Sequence, residues 1–148
     1  MKHSGSCHCK AVTFETDLDP MLVYQCNCNN CRRLTGGLRV ACMYATDEIE
    51  FSGETDVYTY SGGSGMNIHA HFCKTCNANV YYLLEAMDGI ISVPLGEFDN
   101  AHKFIPKLEI WTSTKLEWIK DSGCIIERVE DSGVLERLMN LLEKLENR

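Results

Sequence analysis

The chain has 148 residues, long enough for one domain with a substantial core, and its 21 acidic against 14 basic side chains give a formal net charge of −7. That balance argues against a general nucleic-acid or anionic-membrane surface, while leaving room for a local basic pocket. No uncharged apolar run reaches the roughly 20 residues a spanning helix needs, and MKHSGSCHCKAVTFETDLDP at the start holds no continuous apolar segment. The expectation is a soluble, cytoplasmic protein without nucleic-acid or membrane partners.

In chain order the pattern is mainly β. Val12 and Phe14 alternate with polar residues, a strand is expected near 21–25, and Leu38, Val40, Cys42 and Tyr44 share a period-2 face. Further strands are expected near 49–51 and 57–60, then through Ile68, Ala70 and Phe72, and near 79–84, 90–93 and 108–113. Turn signals separate them at 61–65 (SGGSG, expected as a mobile loop), Asp88-Gly89 and Asp99-Asn100. After Asp131-Ser132-Gly133, which offers cap candidates, Val134, Leu135, Leu138, Leu141, Leu142 and Leu145 recur at helical spacing, with Glu136, Arg137, Glu143 and Lys144 facing elsewhere. The predicted organisation is a metal-binding β domain over 1–130 and an amphipathic helix over 131–148. The helix is expected to pack on the domain or to form a homodimer interface.

Seven of the nine cysteines fall in three clusters: Cys7 and Cys9 in CHC, Cys26, Cys28 and Cys31 in CNCNNC, and Cys73 and Cys76 in CKTC. A disulfide framework suits neither an odd count nor a reducing compartment, and no βαβ pattern surrounds CKTC as a thioredoxin-type pair would require. Closely spaced thiols are soft ligands, which favours zinc, with an iron–sulfur cluster compatible on spacing alone. Seven sulfurs divide naturally into four, a closed structural site, and three, which leave a coordination position for water or substrate. A loop with ligands at 26, 28 and 31 can wrap one ion by itself, leaving Cys7, Cys9, Cys73 and Cys76 for the closed site, where a metal would close a long chain loop. Spacing leaves other pairings open.

Other candidates are weaker. Zinc with three cysteinates carries one net negative charge, and Arg32, with Arg33 beside it, is placed in sequence to offset that charge or to bind a substrate carboxylate. His69 and His71 share a strand face and fit hydrogen-bonded sheet residues better than ligands, and Cys42 and Cys124 fit small hydrophobes. Trp111 and Trp118 fit core or rim positions.

GSCHCKAVTFE, CNCNNCRRLTGG, HFCKTCNANVYY and GEFDNAHKFIPKLEIWTSTKLEWI, in this order over roughly residues 4–119, resemble the glutathione-dependent formaldehyde-activating family, whose domain also occurs in a centromere-associated protein. The resemblance implies a zinc-stabilised β-tent-like fold of small antiparallel sheets, here with a C-terminal α-helix. It implies two zinc ions, a structural one on Cys7, Cys9, Cys73 and Cys76 and a second, open one on Cys26, Cys28 and Cys31. It also implies a carbon–sulfur lyase, similar to an S-(hydroxymethyl)glutathione synthase, acting on adducts of glutathione or another small thiol with an aldehyde; with Arg32 added from the charge argument above, the expected catalytic set is Cys26, Cys28, Cys31 and Arg32. Two further readings stand beside this one: a non-catalytic zinc-stabilised binding module, and a thiol-based metal or redox handling protein. The chain departs from the family pattern at Lys10 and Asn77, where Gly is usual, so that Asn77 is expected to keep its turn and Lys10 to mark a less demanding backbone. It departs again at Glu109 and Glu117, in place of a usual His and Pro, which suggests changed charge near the ligand pocket.

Overall fold

The computed structural model describes residues 2–147. Strands β1 (His3–Ser6) and β2 (Thr13–Thr16) form a hairpin around the first cysteine pair; β3 (Leu22–Cys26) runs through the chain's second cysteine cluster into a short helix, α1 (Asn29–Thr35). Strands β4 (Arg39–Ala45), β5 (Glu50–Ser52), β6 (Thr55–Ser61), β7 (Asn67–Cys73), β8 (Asn79–Leu84) and β9 (Ile90–Pro94) follow. The last elements are β10 (Leu108–Ile110), β11 (Glu127–Arg128) and α2 (Val134–Glu146). The protein is thus mostly β with a C-terminal helix, as the alternation indicates. One sheet is three-stranded, in the order β1-β2-β5; the other is eight-stranded, β11-β10-β3-β4-β9-β8-β7-β6. Pairing is antiparallel except where β10 lies parallel to both β3 and β11.

The larger sheet is covered on both faces. On one, Phe14 of the small sheet meets Val23, Cys42, Tyr44, Ile91, Val93 and Phe98, with Phe14 and Phe98 ring centroids 4.8 Å apart. On the other, Tyr24, Ala41, Met43, Tyr82, Leu108 and Ile110 pack with Leu141 of α2. Strand β4 is therefore buried from both sides, and the face opposite Val40, Cys42 and Tyr44 carries Arg39, Ala41 and Met43.

The tail helix lies differently from its sequence pattern. Leu135, Leu138, Met139, Leu142 and Leu145 are exposed, whereas Arg137 and Leu141 face the domain. The approach at the helix start is close: a Cβ on Gly133 would stand 2.7 Å from Val129 and 2.9 Å from Ile110. Gly133, at φ 55°, is the N-cap, and its N–H donates to the Asp131 carboxylate at 2.9 Å. These contacts fix the helix rotation so that Leu141 of the stripe, in a row with Gly133 and Arg137, turns toward the domain, while Leu135, Leu138, Leu142 and Leu145 face outward.

Strand β10 also ends earlier than the expected 108–113, because Trp111 takes a left-handed backbone conformation, φ 58°. The SGGSG stretch forms a hydrogen-bonded turn, Gly62 N–H to Met66 C=O at 2.8 Å, and Gly63 lies against the Trp111 indole.

Candidate metal centres and the cavity beside one of them

Two cysteine groups converge. The sulfurs of Cys7, Cys9, Cys73 and Cys76 lie within 4.8 Å of one another, and so do those of Cys26, Cys28 and Cys31. In the first group Cys7 and Cys9 come from the β1–β2 loop, Cys73 ends β7, and Cys76 lies in the β7–β8 turn. Each turn is closed by the backbone: Lys10 N–H donates to Cys7 C=O at 3.0 Å, and Asn77 N–H to Cys73 C=O at 2.9 Å. Both Lys10 (φ 65°) and Asn77 (φ 61°) are left-handed.

Lys10 thus corrects the expectation of a relaxed backbone there. The turn demands positive φ whatever the residue, and a lysine must bear the strain between its Cβ and the following carbonyl. Lys10→Gly should accordingly stabilise the fold by about 1 kcal/mol, read as a raised melting temperature with unchanged metal content.

The sulfur spacing suits a tetrahedral ion. Ligands about 2.3 Å from a tetrahedral centre stand about 3.8 Å apart, and Cys7–Cys9 and Cys9–Cys73 Sγ separations are 3.7 and 3.8 Å. The N–H groups of Ala78 and Cys9 bring the Cys76 thiol down to about 6, favouring the thiolate a metal requires. Val12, Val80, Phe51 and Tyr81 surround the cluster.

The second group is built at the junction of β3 and α1. Cys26 ends the strand, Cys28 caps α1 by accepting the Cys31 N–H on its sulfur at 3.2 Å, and Cys31 lies in the first helical turn. Asn27 between them is pinned on three sides: its N–H and side-chain amide donate to Ile110 C=O at 3.1 and 3.3 Å, the amide also to Glu109 Oε1 at 3.0 Å, and its own C=O accepts from Thr114. Hydrogen bonds from the Cys26 and Cys31 thiols hold Cys28 well below the ordinary thiol range, whereas Cys26 is pushed above it by its two thiol neighbours and by burial.

These three sulfurs open onto a cavity of about 50 Å³ that is also lined by Arg39, Tyr60, Ser64, Trp111 and Arg137. Arg39 is 6% exposed, with its guanidinium carbon 3.9 Å from the centre of the Tyr82 ring. Burial works against its charge, but Tyr24 and Cys31 more than compensate, so it stays cationic. Arg32, expected near the site, lies on the outer side of α1 among Asn27, Gly37, Leu38, Leu116 and Ile119, and reaches Asn29 at 3.5 Å. Arg33 is exposed. A helix begun at Asn29 turns both side chains away from the sulfurs, and Arg39 arrives instead from β4.

The remaining candidates are placed as follows. His69 bonds Thr59 at 2.8 Å and Glu85 at 2.9 Å, and His71 bonds Thr55 at 3.0 Å and stacks on Tyr81. Neither belongs to a cysteine group. Cys42 is buried, its thiol pushed up to about 12 by burial, and Cys124 is half-buried beside Ser122. Glu109 does not line the cavity, and Glu117 is exposed. The charge change expected at the pocket from these two positions is absent, because Glu109 is turned into a polar network on the far side of Asn27.

A mostly β domain whose turns gather seven cysteines into a group of four and a group of three defines a protein with two clusters able to hold metal ions. The chain belongs to the glutathione-dependent formaldehyde-activating enzyme family, whose sequence pattern matches residues 2–114. A crystal structure of a Rhodobacter sphaeroides protein is similar in fold, with a TM-score of 0.50 at 21% identity, covering 66% of this chain and 88% of that one. No helix among the described residues is long and apolar enough to cross a membrane.

Proposed function

We propose that the protein is a zinc-dependent carbon–sulfur lyase acting on the adduct of a small thiol, glutathione or another, with an aldehyde. The observation that carries this reading is the contrast between the two sulfur groups: four sulfurs converge within 4.8 Å, enough for a closed tetrahedral site, whereas only three converge beside a cavity that a buried cation also lines. Cys7, Cys9, Cys73 and Cys76 would hold a structural zinc; Cys26, Cys28 and Cys31 would hold a second with a position left for ligand. Zinc bound there would favour the thiolate form of a substrate thiol, the form that adds to an aldehyde carbonyl or departs from it.

The chain's own residues would do the rest. Arg39 offsets the negative charge of the sulfurs in a site where water screens little. Tyr60, whose phenol burial holds above its ordinary range, keeps its proton and can donate a hydrogen bond to the adduct's oxygen. Trp111 and the Gly63-Ser64 turn cover the cavity and limit access of water. Arg32 would act only from outside, as a surface charge. A cytoplasmic location and a homodimer through the exposed leucines of α2 remain part of the proposal.

Native mass spectrometry with a thiol titration tests the reading. Protein made with sufficient zinc should carry two ions per chain, and 2-mercaptoethanol should bind without displacing either. A chain that folds with one ion or none, or two ions inert to thiols, would refute it.

A further inference from the structure

Arg137 and Arg39 approach the three-cysteine cavity from different parts of the chain. Arg39 comes from β4 and Arg137 from α2, which lies beyond the segment matched by the family. Both are more than nine-tenths buried, at 6% and 8% exposure, and both line the cavity. Their guanidinium carbons lie 5.7 and 5.5 Å from the centre of the same Tyr24 ring. Arg39 donates one N–H to the Tyr24 hydroxyl, but its Nε and Nη1 have no hydrogen-bond partner among the described residues, nor has Nε of Arg137. No carboxylate is among the lining residues.

A buried donor without an acceptor is destabilising, and more so on a charged group. Three such donors, on two cations that line one small space, mark a place where an acceptor can arrive from outside. Sulfur is a poor match for them, since a guanidinium fork fits the two oxygens of a planar oxyanion.

We propose that Arg39 and Arg137 form a carboxylate-binding pair, and that the cavity selects a compact thiol carrying a carboxylate close to its sulfur. The inference rests on the thiol-binding reading above for the sulfur end, and on the arginine pair for the carboxylate end. Size sets the class of ligand: about 50 Å³ holds roughly four water-sized groups, the scale of mercaptoacetate. The tail helix therefore completes the site and sets its selectivity, with the approach of Gly133 to Ile110 holding Arg137 in place.

The test is calorimetric titration of the zinc-loaded protein with three probes: mercaptoacetate, 2-mercaptoethanol, which has the same carbon count and thiol but no carboxylate, and acetate. Mercaptoacetate should bind roughly ten- to a hundredfold more tightly than 2-mercaptoethanol. Arg137→Gln should erase most of that preference by weakening mercaptoacetate far more than 2-mercaptoethanol, and Arg137→Lys should restore part of it. Equal binding of the two thiols by the parent protein overturns the inference and leaves the thiol reading standing; this arm needs no variant to fold. Equal weakening of both thiols by Arg137→Gln also overturns it, because the arginine would then only balance thiolate charge. If 2-mercaptoethanol fails to bind while acetate binds in an Arg137-dependent way, the thiol reading falls and the carboxylate site stands.

Discussion

Cys76→Ser should unfold the protein or leave it insoluble, whereas Cys31→Ser should fold and lose one metal ion. The four-cysteine group joins the β1–β2 loop to the β7–β8 turn, so its ion would clip the three-stranded sheet to the outer half of the eight-stranded sheet. Apparent binding free energies of structural zinc run to about 10–16 kcal/mol, as large as the ~5–15 kcal/mol of net stability of a whole domain. Few other contacts can replace it. The small sheet also leans on the Phe14–Phe98 and Phe51–Tyr81 contacts, but these aromatic pairs are worth only about 0.5–1.5 kcal/mol each beyond their burial.

Cys31 differs because its partner sulfurs lie within six residues of sequence and its helix is closed by backbone bonds of its own, Arg32 N–H to Cys28 C=O and Gly36 N–H to Arg32 C=O. Serine at this buried position should lower stability by about 1–2 kcal/mol and abolish thiol binding. Thermal melts with zinc stoichiometry on both variants decide the matter. Collapse of both folds alike, or a stable Cys76→Ser that keeps two ions, would reverse the assignment of the two groups.

Much of this site was legible in the sequence because cysteine spacing is short-range information. C-x-C and C-x-x-C fix which sulfurs can share a turn, and the structure indeed brings 7, 9, 73 and 76 into one group and 26, 28 and 31 into another. The β strands were legible for the same reason, since a period of two needs only a few residues to show. Arg39 was less so. In LRVACMY it lies in phase with Ala41 and Met43, and a strand buried on both faces gives such a residue a buried position; the alternation through Val40, Cys42 and Tyr44 displayed only the other face. The adjacency of Arg32 to Cys31 misled because helix α1 begins at Asn29 and rotates its neighbours outward. Arg137 was hidden by its own helix. A leucine stripe is the stronger amphipathic signal, and only the tertiary contact at Gly133 sets which side turns inward.

Glu109→Ala should cost about 3–5 kcal/mol and loosen the three-cysteine group without touching a sulfur. The Glu109 side chain is fully buried, and four partners converge on it. Gln25 Nε2 at 2.8 Å, Asn27 Nδ2 at 3.0 Å and Lys115 Nζ at 2.9 Å reach Oε1, and Arg128 Nε reaches Oε2 at 3.2 Å. The carboxylate thus ties β3, β11 and the segment after β10 into one assembly, and Asn27 carries its influence to Cys26 and Cys28 on either side. Alanine would leave the largely buried Lys115 with only the exposed Asp121 as counter-charge among the described residues, would take the acceptor from the buried Gln25 amide, and would leave the Asn27 amide on its longer bond to Ile110 C=O alone. The melting temperature should fall by roughly 10 °C or more, and zinc at the three-cysteine group should exchange faster with a chelator while the four-cysteine group holds its ion. Glu109→Gln keeps the volume and some of the hydrogen bonds but removes the charge that Lys115 and Arg128 share, so it should fall between parent and alanine. A Glu109→Ala protein that melts within a degree of the parent would mean that the network contributes no net stability. One that is destabilised yet releases both ions at the parent's rates would break the link from Glu109 through Asn27 to the sulfurs.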